Sequence, residues 1–357
     1  MAFTAYAEEH LRPNGPSDAR PTALRVVRDL KLDGKLEGRV FVVTGGTSGI
    51  GYQVARAIHA TGADLYITGR DSNKGESVAT ELAEDGRPGR VVFVQIELDS
   101  LASVRDGAAE ILEKSGGKVN VLINNAGKLT YPRPRYNSQL DWLKRLGIMM
   151  CPYEKTKDGF ESQFGINHLG HFQLFYKLKS ALLSSATPEY ASRVVNLTSS
   201  GHRLAPLDTD DYNIMKDYTP FKGYGASKTA NIYFSNEIER RYGSQHLNAY
   251  STHPGMTITN IGQYLDPETA KAFSTFPGAK QITKEAAQGA AVPVLAALSQ
   301  ELEGKGGLYL EDCRQSGRAE GVNPIEHPYG YASWIEDEDS QRKLWVDSLA
   351  LVGSKDD

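Results

Sequence analysis

The sequence predicts a doubly wound α/β domain, a mostly parallel seven-stranded sheet covered by helices on both faces. Three observations carry this. Short β-branched runs alternate with stretches of helical periodicity along most of the 357 residues. The first run ends in a glycine-rich turn, Thr44-Gly45-Gly46-Thr47-Ser48-Gly49-Ile50-Gly51, that opens a helix pattern. No internal repeat or low-complexity segment divides the chain.

Residues 1–36 are polar and irregular, apart from a short helical pattern at 22–31, and read as an arm before a domain spanning 37–350. The final 351–357 read as a tail. GRVFVVTGG (38–46) is the first strand, β-branched and bounded by glycine. Ile50, Val54, Ala57 and Ile58 then recur at helical spacing. Strands at 64–70, 91–98 and 119–127 alternate with helix patterns at 73–86 and 103–117. The pattern breaks at 128–147 and resumes with one long helix pattern at 158–187, a strand at 193–200 and a helix at 222–242. A strand at 247–255, a helix at 284–300, a strand at 306–313 and a helix around 338–351 complete it. Such alternation implies right-handed crossovers within one sheet, hence a single domain with insertions.

Composition narrows the function. Net charge is −4, with 40% apolar and 24% charged residues, so no concentrated basic surface points to nucleic acid. Two cysteines, Cys151 and Cys313, exclude a disulfide scaffold or four-cysteine zinc site and suit a reducing compartment. Both read as packing residues. The first residues carry charges and prolines where a signal peptide needs an apolar run, and no stretch nears the roughly 20 apolar residues of a transmembrane segment. A soluble, cytoplasmic protein is expected. His168 and His171 have metal-pair spacing but no third ligand, so no metal is expected. The triplet Asn196-Leu197-Thr198 matches a glycosylation pattern yet lies in a run that reads as a buried strand, and the acidic 336–340 reads as a solvated helix start.

Three constellations carry chemistry. Glycines between the first strand and helix let the backbone approach a pyrophosphate, which a helix N-terminus favours. At the end of the second strand stands Thr68-Gly69-Arg70. An acidic residue there would select NAD(H); a glycine followed by arginine leaves room for a 2′-phosphate and a cationic partner, favouring NADP(H). Tyr224 and Lys228, in Tyr-Gly-Ala-Ser-Lys, share one helix face. A lysine ammonium beside a phenol favours phenolate, which allows proton exchange with a substrate oxygen near neutral pH. Ser199-Ser200 closes the fifth strand, whose carboxyl end converges on the same crevice.

TGGTSGIG, NNAG, GINHLGHF, VNLTSS, YGASK and HPGMTIT stand in this order, and over roughly 36–350 the chain resembles the short-chain dehydrogenases/reductases, which have a Rossmann fold. The segment 151–172 and the late GLYLEDC are most similar to the retinol-dehydrogenase-like branch, which also includes many fungal and plant reductases. The resemblance implies that Tyr224 is the general acid in carbonyl reduction and that Lys228 lowers its pKa and holds the nicotinamide ribose. It gives Ser200 the substrate carbonyl, with Ser199 as the alternative, and Asn167 the water that relays protons to Lys228. Gly45, Thr47, Ser48, Gly49 and Ile50 would line the pyrophosphate, Asn125 would lie along the cofactor, and Pro254 and Thr259 would meet the carboxamide. Glu97 stands where the family has an aspartate facing the adenine, with Asp99 as a substitute. His168 and His171 are structural in this family.

The implied activity is NADP(H)-dependent interconversion of a carbonyl and an alcohol on an apolar small molecule, in specialised metabolism or in detoxification. Tyr264, Phe273 and Phe276 suit an apolar or aromatic substrate and equally suit core packing. The N-terminal membrane helix of many retinoid enzymes has no counterpart here, so a retinoid is not assumed. The homodimer is left open. Two other readings stand beside this one: a cofactor-binding regulatory protein with little turnover, against which the intact Asn167, Ser200, Tyr224 and Lys228 speak, and a carbon–carbon double-bond reductase.

The twenty residues at 128–147, KLTYPRPRYNSQLDWLKRLG, interrupt NNAG and IMMCPY and have no recognised counterpart. They read either as a substrate lid bearing Tyr131, Tyr136 and Trp142, as a neutral loop, or as a retained intron. The intron reading is favoured, because Gly127-Lys128 can be encoded with a splice-donor-like GTAAG and excision restores NNAGIMMCPY. The sequence of the transcript separates these readings.

Overall fold

Alternation along the first strand, β1 (Val40–Thr44), shows how the sheet acquires two covered faces. Val40 and Val42 enter one core while Phe41 and Val43 enter the other, as side chains of successive strand residues must. In the computed structural model, residues 3–127, 153–257, 278–321 and 329–355 are described. Residues 128–147 and Thr259, with Cys151, Tyr264, Phe273 and Phe276, lie outside them.

The strands β2 (Asp64–Gly69), β3 (Val91–Gln95), β4 (Val121–Asn124), β5 (Ser192–Leu197), β6 (Leu247–His253), β7 (Leu308–Glu311) and β8 (Arg314–Gln315) join β1 in the order β3-β2-β1-β4-β5-β6-β7-β8. All pairings are parallel except β7 with β8. The described residues thus hold eight strands, one more than the sequence predicts. The extra strand is two residues long and follows Asp312 and Cys313, whose φ values of 47° and 57° turn the chain back on itself. So short a run carries no alternation to read. Residues 3–5 pair with its outer side: Ala5 N donates to Cys313 O, and Gln315 N to Phe3 O.

Short helices α1 (Ala7–Leu11) and α2 (Ala23–Asp29) precede the sheet, followed by α3 (Gly49–Ala60), α4 (Ser72–Ala83) and α5 (Leu101–Lys114). Val26 and Val27 of α2 are buried in the same core as Val54 and Ile58 of α3. The long helix expected at 158–187 starts later and is not uniform. One turn, α6 (Ser162–Phe164), leads into a π-helical turn, Gly165–Leu169, and then into α7 (Gly170–Ser185). A π turn shifts the apolar spacing by a single residue over one turn, too short a phase change for periodicity to separate from an ordinary helix. The chain continues through α8 (Pro220–Tyr242), α9 (Ala279–Ile282), α10 (Ala286–Gly289), α11 (Ala291–Leu298) and α12 (Glu338–Leu351).

Helix α8 starts on a Thr219 cap that accepts from Lys222 N, with Pro220 in its first turn, where a missing N–H costs nothing. Its outer face and that of α7 are covered by α12. Trp345 packs against Phe172, Phe175 and Phe234, and Ser348 Oγ meets His168 Nε2 at 2.9 Å. On the other layer, Arg20 donates to the carbonyls of Gly15, Gln281, Ile282 and Thr283, which ties the N-terminal segment to α9.

His168, His171 and His202 are each at most 1% exposed, and burial pushes their pKa values down to about 3, 4 and 4. An unfolded histidine titrates near 6.5, so below that pH the unfolded chain takes up protons that the fold refuses. Stability is therefore lost as pH falls from about 6.5 toward 4, by on the order of 4 kcal/mol per pH unit for the three together. Urea unfolding at a series of pH values should show this slope, and His168→Gln should reduce it by about one proton. An unchanged slope in that variant would show that His168 does not contribute.

Candidate active site

At the carboxyl edge of the sheet, β1 and β4 are neighbours whose chains then depart to opposite sides, which opens the crevice typical of such folds. The glycine-rich turn leaves β1 here. Gly45 has φ +66°, and a side chain at Gly51 would meet Gly45 O at 2.2 Å and Asn125 Nδ2 at 2.4 Å. Only glycine allows the turn to fold this tightly. Asn125 donates from Nδ2 to Thr44 O at 2.9 Å, so the expected cofactor asparagine braces the turn from β4. Ser48 caps α3, its side chain making no cap hydrogen bond, and Ile50 packs against the core behind it.

The acid–base group converges from three elements. Tyr224 and Lys228 share a face of α8, and Lys228 Nζ lies 5.7 Å from the Tyr224 ring centroid. A side chain at Gly127 would meet Asn167 Oδ1 at 3.5 Å and Lys228 Nζ at 3.7 Å, so β4, the π turn and α8 border one small volume. Asn167 Nδ2 donates to Ser227 Oγ at 3.0 Å, and Ser227 Oγ donates to Tyr224 O at 2.8 Å. Ser227, between the two ends of Tyr-Gly-Ala-Ser-Lys, joins the π turn to α8, and no spacing in the sequence marks it.

The expected Ser200 and its alternative Ser199 are distinguished by the turn that follows β5. Burial raises the Tyr224 pKa, and of the two serines it is the Ser199 hydroxyl that acts to lower it. Ser199 is the last extended residue, φ −155° and ψ 152°, and its Oγ accepts from Gly201 N. Ser200 begins the following 3-10 turn, Ser200–Leu204. With two adjacent serines, the onset of this turn decides which one faces the tyrosine. Gly201 is required there, because a side chain would meet the Tyr224 ring at 2.7 Å.

At the far end of the crevice, a side chain at Gly69 would meet Thr47 at 3.2 Å, so the end of β2 abuts the glycine turn. Arg70 is exposed and its guanidinium makes no ion pair among the described residues. Glu97 pairs with Lys157, which also lies 3.8 Å from Asp99. Pro254 follows β6 and precedes Gly255, beside the Lys284–Asp312 ion pair of 2.5 Å.

The family model for short chain dehydrogenases matches residues 39–270. The chain belongs to the short-chain dehydrogenase/reductase family. Within it, the chain is 42% identical to the short-chain dehydrogenase/reductase prx1 of Penicillium roqueforti, over 97% of this chain and 94% of that protein. It is 41% identical to the oxidoreductase calI of Penicillium decumbens over 99% of each chain, and 36% identical to retinol dehydrogenase 12 of Mus musculus over 79% and 80%. These place it in the retinol-dehydrogenase-like branch. Among solved structures, an uncharacterised protein from Mycobacterium paratuberculosis superimposes with TM-score 0.62 at 29% identity, over 89% of this chain and 95% of that one.

As an oxidoreductase of this family, the protein has a fold that binds a nicotinamide cofactor, and its residues fit one. Besides the tight turn, Lys228 Nζ makes one hydrogen bond among the described residues, to Leu197 O at 3.1 Å. An ammonium has three donors, which leaves two for ribose hydroxyls. Burial alone pushes Lys228 down to about 8, so the cation is held at a cost. Its destabilisation is fully present below about pH 8 and is relieved between there and the unfolded value near 10.5. Lys228→Met should accordingly raise the melting temperature of the cofactor-free protein at neutral pH, an effect of up to about 3 kcal/mol, while abolishing turnover. Calorimetry at pH 7 checks it, and a lower melting temperature would contradict it.

Proposed function

We propose that the protein is an NADP(H)-dependent oxidoreductase that interconverts a carbonyl and an alcohol on an apolar small molecule. The observation that carries this is the convergence of Tyr224, Lys228, Ser199 and Asn167 around one volume beside Gly127. The mouse relative is named a retinol dehydrogenase, an activity on an alcohol borne by an apolar skeleton, and this supports the substrate class.

When bound, the nicotinamide supplies the hydride to the carbonyl carbon and accepts it in the reverse direction. Tyr224 Oη gives its proton to the carbonyl oxygen during reduction and regains it from Lys228 by way of the space bordered by Asn167. Burial raises the Tyr224 pKa, and the Ser199 hydroxyl bond lowers it. The Lys228 ammonium over the ring acts in the same direction as Ser199. When a carbonyl substrate binds, Ser199 turns its single O–H from Tyr224 to the substrate oxygen and fixes the carbonyl in line with Tyr224. The exposure of Arg70 at the end of β2 supports its role as partner of the 2′-phosphate of NADP(H), which a planar guanidinium binds in two-point fashion.

A substitution series with NADPH and a panel of aromatic and aliphatic aldehydes and ketones tests the assignment through loss of NADPH absorbance. Tyr224→Phe should bind NADPH normally and lose roughly 10²–10⁴-fold in kcat. Ser199→Ala should cost about 10²-fold, and Ser200→Ala far less; the reverse order would return the role to Ser200. Full activity of Tyr224→Phe would sink the proposal. In cofactor specificity, Arg70→Ala should raise KM for NADPH by about tenfold or more and leave KM for NADH nearly unchanged. Equal effects on both cofactors would remove Arg70 from the 2′-phosphate.

A further inference from the structure

We infer that His202 is the positioning residue for Ser199, its ring fixing the Ser199 carbonyl and fastening it to the backbone of Ala332. This rests on the proposed reading of Tyr224 and Ser199 as the acid–base pair. His202 Nδ1 lies 2.6 Å from Ser199 O, and His202 Nε2 lies 3.1 Å from Ala332 N. A carbonyl oxygen can only accept and a backbone N–H can only donate. The two partners therefore force one tautomer: the proton is on Nδ1, and Nε2 is bare.

The same carbonyl accepts the backbone N–H of His202 at 3.0 Å, so ring and backbone together close the turn that begins after Ser199. Within this turn Ser199 Oγ accepts from Gly201 N at 3.0 Å, which leaves its O–H to be directed at Tyr224. His202 O accepts from Thr229 Oγ1 at 3.2 Å, one residue beyond Lys228 on α8. His202 thus sits between the serine, the helix that carries Tyr224 and Lys228, and the C-terminal segment. That segment is held in turn: Gly330 N donates to Glu311 Oε1 at 2.5 Å, and Arg203 Nη1 to Tyr329 O at 3.1 Å.

A protonated ring would set a second N–H against that of Ala332 and break the bond. The surroundings oppose protonation. His202 is 0% exposed. Arg203 in its own turn and His253 of β6 act on it as neighbouring cations when protonated, and the ring of Tyr309 of β7, a phenol that burial keeps neutral, lies tilted with its centroid 5.5 Å away. The imidazole therefore serves as a neutral, two-ended strut across the working pH range. A displacement of about 1 Å in a group that orients a reacting atom costs about 10² in rate, so a strut on the carbonyl of the residue that carries the hydroxyl bears directly on turnover.

Three substitutions separate positioning from core filling. Asparagine reproduces the Nδ1–H donor, glutamine lacks it at that position, and leucine fills the volume alone. With NADPH and 4-nitrobenzaldehyde, kcat should fall by about tenfold or more in His202→Leu and His202→Gln but by less than about threefold in His202→Asn. The dissociation constant for NADPH, read by its fluorescence, should stay the same in all three. In the direction of alcohol oxidation, which needs the Tyr224 phenolate, the acidic limb of kcat should move to higher pH in the leucine and glutamine variants, because Tyr224 loses the bond that lowers its pKa. Wild-type kcat in His202→Leu, or an equal loss in asparagine and leucine variants with intact melting transitions, would overturn the inference.

Nitrogen NMR of the protein labelled with ¹⁵N-histidine tests it without turnover. The signals lost in His202→Asn should report a neutral Nδ1–H ring at pH 6; an Nε2–H tautomer or a charged ring would overturn it. Full turnover by Tyr224→Phe would instead defeat the reading of the site and leave the tautomer result standing.

Discussion

Strands that part at the carboxyl edge of a parallel sheet leave backbone N–H groups with no strand to pair them. Thr44 resolves this at the opening of the crevice, and the site depends on it. Its Oγ1 accepts from Asn125 N and from Ala126 N, each at 3.0 Å. Both lone pairs are then used, so its proton goes to His171 Nε2 at 2.9 Å. That places the imidazole proton on Nδ1, which donates to Asn167 O at 3.0 Å. One hydroxyl therefore joins the cofactor turn, the end of β4 and the π turn bearing Asn167. Loss of any member strands a buried polar group, at about 1–3 kcal/mol.

A second chain of bonds fixes α8 against this frame. Asn124 Nδ2 donates to Asn196 Oδ1, Asn196 Nδ2 to Ser235 Oγ, and Asn231 Nδ2 to Leu197 O. Thr198 Oγ1 donates to Lys228 O. The helix is thus pinned to β5 and the residue after it at Lys228, Asn231 and Ser235, and Tyr224 is carried one turn further toward the crevice. Apolar packing alone would let such a helix slide by fractions of a turn. Directional bonds in a buried setting do not.

The alternation of strands and helices was legible because buried parallel strands are nearly continuous apolar runs, and the glycine turn and the Tyr224–Lys228 spacing were legible because each answers a local geometric need. What escaped the sequence depends on where a turn begins or on which backbone group a side chain finds. Ser199 and Ser200 are chemically identical, and only the start of the 3-10 turn distinguishes them. His171 and His202 resemble ordinary core histidines until their four partners are seen. Arg20, in a polar stretch, is only 4% exposed, because backbone carbonyls absorb its guanidinium and no sequence pattern records that.

The charges of the site follow from the same frame. In the proposed function Tyr224 works with the Lys228 cation beside it, and the struts at His171 and His202 work only while neutral. Burial supplies the neutrality of all these rings, and Lys228 adds to it at His171, where its charge lowers the imidazole pKa further. The Lys228 ammonium, to which the proposed function gives the role of favouring the phenolate, thus also protects the hydrogen bond from Thr44 to His171. Protonating His171 would put an N–H against the Thr44 hydroxyl proton and force that hydroxyl to turn, releasing Asn125 and Ala126 from the cofactor turn. The acid limit of the proposed catalytic geometry and the acid limit of the fold are therefore set by the same buried imidazoles.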